Sequence, residues 1–405
     1  MSEVLYCWIE GELIGRFTQN EPGQISFAYD IPGPRVVSLS LPRTGASTQA
    51  AAMNFLNALL PENPAARDAL KRYSGARSAS TWDLLEAAGQ DVAGGLVLLP
   101  REEMPTPEGT IPELAREDNI AQRVMEVRKV PSAAFISDVA PIRYSLAGAQ
   151  GKFSLSSING SWHWPSAAYP STHIFKPSAE IHPGLDELEA ETLRLARLAG
   201  IDAPHAEVSD FLGQHTFAIE RFDRRIDGDG LARRLHAEDL TQALAEPVSR
   251  KYYVSVPQIV RRLREHTGDD ELGYAFLRQL AFNVTIGNAD AHGKNYTLML
   301  GADGEATMSP LYDAIPLGLV PGGYSMDLAM KIGHARHFNA VTPDIWRSAA
   351  RKSGLDPDRA AGIVREVAAG VAEHLDETIA ATESGRRSPD GVDDIRRSAE
   401  RNAAG

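Results

Sequence analysis

At 405 residues the chain is long enough for two or three compact units with sizeable cores. Its formal charge of −13, from 41 basic and 54 acidic residues, argues against strong unaided nucleic-acid binding, which relies on cationic neutralisation of phosphates. There is no run of 18 apolar residues, the chain does not open on a basic-then-apolar leader, and a single cysteine, Cys7, excludes an internal disulfide and a multi-cysteine zinc site; the expectation is a cytoplasmic protein with no membrane span.

Residues 1–100 read as a separate module. Short strands at 4–9 and 12–17 flank Gly11 as a hairpin, with further strands at 25–29 and 36–41. Helical patterns follow at 53–60, ending at Pro61, then from Asn63-Pro64, then at 81–88 with Thr81 as N-cap. Nothing in this module has catalytic spacing. Residues 101–130 form a connection, and its stretch 101–118, rich in proline and charge, reads as a surface segment.

From 131 to 240 the texture is strand-rich. Arg143, Tyr144, Ser145 and Leu146 lead into Ala147-Gly148-Ala149-Gln150-Gly151-Lys152. Two glycines among small residues let backbone N–H groups approach a phosphate, with Lys152 nearby. The stretch is neither a Walker motif nor G-x-G-x-x-G, and by itself it fits a plain turn between strands. A strand at 153–158 meets Asn159-Gly160, a strong hairpin turn. A strand at 171–177 carries Lys176, which is placed to reach phosphates if it is not simply solvated. A helix at 185–199 has Leu188, Thr192, Leu195 and Ala199 on its apolar side, and Glu189 set to pair with Lys176. Strands at 206–211 and 215–222 follow, the second ending in Glu220-Arg221-Phe222, where backbone and aromatic groups suit an adenine. The 227–230 turn, DGDG, lacks the later ligands of a calcium loop and reads as a hairpin.

Residues 241–405 are mostly helical. Leu277, Leu280, Ala281 and Val284 keep a helical rhythm up to Gly287, a helix stop. The polar stretch that follows holds Asp290, His292, Gly293, Lys294 and Asn295, then a strand at 296–300, a second ending at Ser309, and Tyr312-Asp313. Asp290 and Asn295 have the D-x-x-x-x-N spacing of a kinase catalytic loop. In such a loop the Asp receives or orients the acceptor hydroxyl proton, the Asn carries a metal ion, and a later Asp, here Asp313, holds the second metal position. That spacing alone is common by chance in turn-forming loops. His334 and His337 lack a third ligand for zinc. A long amphipathic helix is expected at 357–380, and a polar, frayed tail from Ser384.

Six motifs stand in one order: SLAGAQGK, THIFKP, ERFDRR, HAEDLTQA, NADAHGKN and PLYD. Their ordered combination strongly resembles the HipA family of serine/threonine-protein kinase toxins of type II toxin–antitoxin systems, and WIEGELIGRF resembles the family's N-terminal subdomain. The resemblance implies an α+β, two-lobed protein-kinase-like (HipA-type) fold with a strand-rich N-terminal part and a mostly helical C-terminal lobe. It implies ATP and Mg²⁺ as cofactors. By resemblance, Ala147 through Lys152 form the nucleotide-phosphate loop and Lys176 is the phosphate-binding lysine. Glu220, Arg221 and Phe222 flank the adenine, and Asp290 is the catalytic aspartate. His292, Gly293, Lys294 and Asn295 contact nucleotide and metal. Tyr312 packs on adenine, Asp313 binds metal, and Ser145 is the autophosphorylated, self-inactivating serine. One departure is Gly151, which stands where an acidic residue is often found beside the loop lysine.

The resemblance also implies partners: a HipB-like helix-turn-helix antitoxin, DNA reached mainly through that antitoxin, and an aminoacyl-tRNA synthetase such as the glutamyl enzyme as protein substrate, so that translation is inhibited and persistence promoted. Two alternatives stand beside it. One is a small-molecule kinase using the same phosphate machinery; the other is a degenerate kinase serving as an antitoxin-bound corepressor. Intact Lys176, Asp290, Asn295 and Asp313 weigh against the second, since a pure binding module has no need of all four.

Overall fold

The structure, a computed structural model, describes residues 2–44, 47–104, 112–130, 151–166, 168–228 and 230–404. Ser145 and the 147–150 part of the expected phosphate loop lie outside the described residues. The chain divides into two compact units. One comprises described residues within Met1–Pro177, Ser209–Val248 and Met299–Glu305; the other those within Ser178–Val208, Ser249–Leu298 and Ala306–Gly405.

The first unit begins with an antiparallel sheet in the order Gln24–Tyr29, Glu12–Glu21, Glu3–Ile9, Leu96–Leu99. Strand alternation buries Leu5, Cys7 and Ile9 on one face. Glu10 and Gly11 both take positive φ, 52° and 83°, which is the turn geometry that matches the twist of a two-residue hairpin. Three helices pack on this sheet region: Gln49–Ala58, Pro64–Ser74 and Thr81–Ala88. Asn63 caps the second, with Pro64 at its first turn, as the sequence suggests. The third is capped one residue earlier than expected: Ser80, not Thr81, accepts the Asp83 N–H. The strand expected at 36–41 does not form; the segment makes only an isolated bridge, Ser38 to Leu41.

The expected connection at 101–130 contains a helix, Glu117–Lys129. Glu117 and Asp118 open it and Arg128 and Lys129 close it, an arrangement that complements the helix dipole. Its Ile120, Ala121, Val124 and Val127 enter the core of the first unit. Beyond it lies a five-stranded sheet ordered Ser161–His163, Phe153–Ile158, His173–Lys176, Gln214–Glu220, Ala206–Phe211. Asn159 and Gly160, at φ 49° and 77°, make the hairpin turn expected of that dipeptide. Phe55 and Leu85 share a single hydrophobic core with Phe153, Phe175 and Phe211. The N-terminal module and the later sheet therefore bury their apolar faces in common.

A charged cluster in the same unit reinforces this union. Arg221 donates to both carboxylate oxygens of Asp223, at 2.9 and 2.7 Å, and to Ser171 Oγ at 2.8 Å. Arg224 reaches Asp91 at 2.8 Å and the Gly94 carbonyl at 3.0 Å, while the Gly94 N–H donates to Asp223 at 2.7 Å. Burial alone would push the Asp223 carboxyl up; the guanidiniums of Arg221 and Arg224 outweigh it and hold the group well below the usual carboxylate range.

The second unit is mainly helical. Glu271–Thr285 runs through its interior and packs against Pro357–His374. The long helix stops at His374 rather than at 380. The tail is not frayed: Glu383–Arg387 and Pro389–Ala403 are helices. The second buries Val392, Ile395, Ala399 and Asn402, at three- and four-residue spacing, and packs on Pro357–His374. Among the described residues, no helix is long and apolar enough to cross a membrane.

Candidate active site

The interior helix Glu271–Thr285 is nearly all buried, so it fixes whatever follows its C-terminus. Gly287 ends it with φ 73°, and a Cβ there would lie 3.1 Å from the Phe338 ring. Asn288 then folds back on the helix end. Its N–H donates to the Asn283 carbonyl, and its amide nitrogen donates to Asn283 Oδ1, both at 2.8 Å. Asn283 in turn donates to the Tyr296 hydroxyl at 3.2 Å. These amides are buried, so each hydrogen bond restrains the loop where water does not compete.

Asp290 stands exposed at the crest of that loop. Its backbone carbonyl accepts from the His292 N–H at 2.7 Å and from Asn295 Nδ2 at 3.2 Å. Its Oδ1 accepts from the Tyr252 hydroxyl at 2.7 Å. Gly293–Asn295 make one turn of 3-10 helix, and Lys294 and Asn295 are buried. The Tyr312 hydroxyl donates to the Lys294 carbonyl at 2.7 Å and bonds Thr297 Oγ1 at 2.7 Å, which ties the 312–313 segment to the loop. Asp313 takes φ 55°, a left-handed conformation uncommon for a residue with a side chain. Its carbonyl accepts from Asn288 Nδ2 at 3.4 Å.

His292 marks the electrostatic centre of this group. Burial first, then the Lys251 ammonium, push its imidazole below the ordinary value, and the Asp290 and Asp313 carboxylates oppose them. The His292 Nδ1 is buried and has no hydrogen-bond partner among the described residues. The Tyr252 ring meets His292 edge-on, with centroids 5.0 Å apart.

The donor set suits magnesium. Asn295 and Asp313 offer hard oxygens, and among the described residues no cluster of three or more His, Cys, Asp or Glu forms an all-protein cage. Mg²⁺ is commonly held by one or two such oxygens together with water and substrate phosphates.

The remaining candidates lie in the first unit. Lys176, at the end of its strand, is buried, and its ammonium sits 5.4 Å from the centre of the Phe217 ring. Gly151 is buried and Lys152 half-buried. Glu220 is exposed and pairs across the sheet with His173; Phe222 is half-buried. The Arg221 guanidinium is committed to Asp223 and Ser171, and its N–H to the Thr172 carbonyl, so it supports the segment from behind. Glu189, expected opposite Lys176, is buried on Leu185–Leu198 and belongs to the second unit.

Family models match most of this chain: the HipA-like C-terminal domain matches residues 144–375, and the HipA N-terminal domain residues 5–99. The chain belongs to the HipA family. It is similar to the protein Y4mE of Sinorhizobium fredii, 33% identical over 395 residues, covering 93% of this chain and 92% of that protein. It is also similar to the serine/threonine-protein kinase toxin HipA of Shewanella oneidensis, 30% identical over 312 residues, covering 73% of this chain and 70% of the relative. A chain of the solved Shewanella oneidensis complex of HipA, HipB and operator DNA superposes with a TM-score of 0.82 at 24% identity, covering 98% and 97% of the two chains. That likeness shows the fold, which is α+β and two-lobed, protein-kinase-like in the HipA manner.

Within this HipA-family chain the C-terminal match takes in every candidate residue from Ser145 to Asp313. Two residues that shape the loop, Tyr252 and Asn283, lie outside the six motifs, and Asn288, the first residue of NADAHGKN, was given no role. An asparagine at 283, inside the apolar run Leu280–Val284, was the available signal for one of them.

Proposed function

We propose that this HipA-family chain is an ATP- and Mg²⁺-dependent serine/threonine-protein kinase, the toxin of a HipBA-type pair. The carrying observation is the bond from Asn295 Nδ2 to the Asp290 carbonyl at 3.2 Å, with the segment of Asp313 tied to the same loop by the Tyr312 hydroxyl on the Lys294 carbonyl at 2.7 Å. Asp290 takes the acceptor hydroxyl proton as that oxygen bonds to the γ-phosphorus and the bond to the ADP oxygen breaks. Asn295 and Asp313 hold Mg²⁺, which when bound neutralises phosphate charge. Lys176, Gly151 and Lys152 serve the phosphates; Glu220, Phe222 and Tyr312 serve the adenine, with His292, Gly293 and Lys294 as nucleotide contacts. The acceptor is an aminoacyl-tRNA synthetase such as the glutamyl enzyme, whose loss inhibits translation and promotes persistence. A HipB-like antitoxin restrains the kinase and carries it to DNA. Phosphoproteomics after controlled expression, set against Asp290→Asn, tests the whole reading. New phosphate on a synthetase supports it; labelled phosphate on small metabolites alone overturns the protein substrate.

Lys176→Ala is expected to weaken Mg–ATP affinity or turnover. A direct titration with Mg–ATP and a turnover assay check this, and unchanged values in both would reduce Lys176 to a packing residue on Phe217.

Ser145 is the proposed site of self-inactivation. A phosphoserine carries a charge of about −1.5 to −2 near neutral pH, which opposes nucleotide phosphates bound beside it. Transfer is expected between molecules. Asp290→Asn protein mixed with active enzyme should acquire phosphate on Ser145, read by mass spectrometry. A Ser145-phosphorylated form that binds Mg–ATP and turns over normally contradicts the proposal.

A further inference from the structure

We infer that Tyr252 is a positioning residue for Asp290, an inference that rests on the kinase reading above. Tyr252 lies on the 3-10 segment Val248–Tyr253, which buries none of its residues. Its ring is 47% exposed, so its conformation is not dictated by a surrounding core. Even so, specific contacts join it to the loop of Asp290. The hydroxyl donates to Asp290 Oδ1 at 2.7 Å, and the ring edge meets His292 with centroids 5.0 Å apart. The neighbouring Lys251 ammonium lies 5.3 Å from the same ring.

A carboxylate on an exposed loop otherwise rotates freely about its side-chain bonds. A phenol bonded to one oxygen fixes that rotation and leaves the second oxygen to take the acceptor proton. The bond is charge-assisted, hence short and directional. In the transfer step the acceptor oxygen bonds to the γ-phosphorus while the bond to the ADP oxygen breaks, and the acceptor proton passes to the untied oxygen of Asp290. Tyr252 neither gains nor loses a proton; it keeps the carboxylate aligned. Positioning of this kind affects turnover and leaves nucleotide binding alone.

The experiment uses the purified full chain, Mg–ATP labelled on the γ-phosphate, and soluble proteins of a cell extract as acceptors. Tyr252→Phe is expected to lower kcat about ten-fold, the scale of one hydrogen bond to a charged group. KM and Kd for Mg–ATP and the melting temperature stay at wild-type values. Incorporating 3-fluorotyrosine at 252, which keeps ring and hydroxyl, is expected to restore turnover. Asp290→Asn is assayed in parallel. Wild-type turnover by Asp290→Asn overturns both the kinase reading and this one. Loss in Asp290→Asn with full turnover in Tyr252→Phe overturns only the positioning role. A rate increase in Tyr252→Phe also overturns it, since the phenol would then be competing with the acceptor hydroxyl.

Discussion

Asp290→Ala is expected to lower phosphate transfer roughly 10²–10⁴-fold, the usual cost of removing a positioned general base. The fold is expected to survive. Two of the bonds that shape the loop run to the Asp290 backbone carbonyl, from the His292 N–H at 2.7 Å and Asn295 Nδ2 at 3.2 Å. A third is the Asp290 N–H donating to Asn288 Oδ1 at 3.3 Å. Alanine keeps all three. What it loses is the carboxylate and its bond to Tyr252, both exposed, so the deletion leaves no buried group stranded. Turnover and thermal denaturation measured on the same preparation separate the two effects. Full activity in a folded Asp290→Ala protein would remove the catalytic role.

Asp223→Ala is expected to act on stability instead, costing about 3–5 kcal/mol, the range found when one member of a buried ion pair is removed. The substitution removes the carboxylate that the buried Arg221 guanidinium bonds twice and leaves that guanidinium with the more distant Asp91, at 3.8 Å. It also strips the acceptor from the Gly94 N–H. Because Asp91 and Gly94 belong to the N-terminal module, and Arg221 and Arg224 come just after Gln214–Glu220 of the later sheet, the damage falls where the two halves of the first unit are joined. A control lies a few residues on, in the hairpin of Arg224–Ile226 with Ala232–Arg234. Asp227 pairs with Arg225 at 2.9 Å where Arg225 is exposed and Asp227 only half-buried, so Asp227→Ala should leave the denaturant midpoint close to that of the wild type. Denaturant midpoints for the two variants decide the matter; equal midpoints would mean that the buried cluster contributes no more than a surface pair.

The features legible in the sequence were those governed by local backbone chemistry. Gly11, Asn159-Gly160, Asn63-Pro64 and Gly287 each demand a turn, a cap or a stop, and the structure places one at every position. Features that depend on distant partners were harder to read. Residues 389–403 look polar until Pro357–His374 supplies a surface for Val392, Ile395 and Ala399. The helix Glu117–Lys129 likewise gains its place from a core assembled far along the chain. Residues 36–41 have strand-like composition, yet a buried carboxylate, Glu238, captures Ser38 Oγ and the Leu39 N–H, and no ladder forms.

The candidate site divides in the same way. Asp290, His292 and Asn295 are close in sequence, so spacing alone groups them, and the kinase pattern of a later metal-binding Asp added Asp313. Tyr252 is 38 positions away from Asp290 and lies in no recognisable motif, so only the folded chain shows their bond. Arg221 shows the opposite limit. A motif can align a residue with a nucleotide-binding segment and still not reveal that its side chain turns inward to Asp223 and Ser171.

The central claim is that this HipA-family chain moves the γ-phosphate of ATP onto a protein hydroxyl, with Asp290 taking the proton. The most direct test incubates purified chain with γ-labelled Mg–ATP and soluble cell protein, then identifies the labelled amino acids. The account predicts acid-stable phosphoserine or phosphothreonine with the wild-type chain and near-background label with Asp290→Asn. Equal labelling by the two proteins, or no protein-bound label from a wild-type chain that binds Mg–ATP, would contradict it.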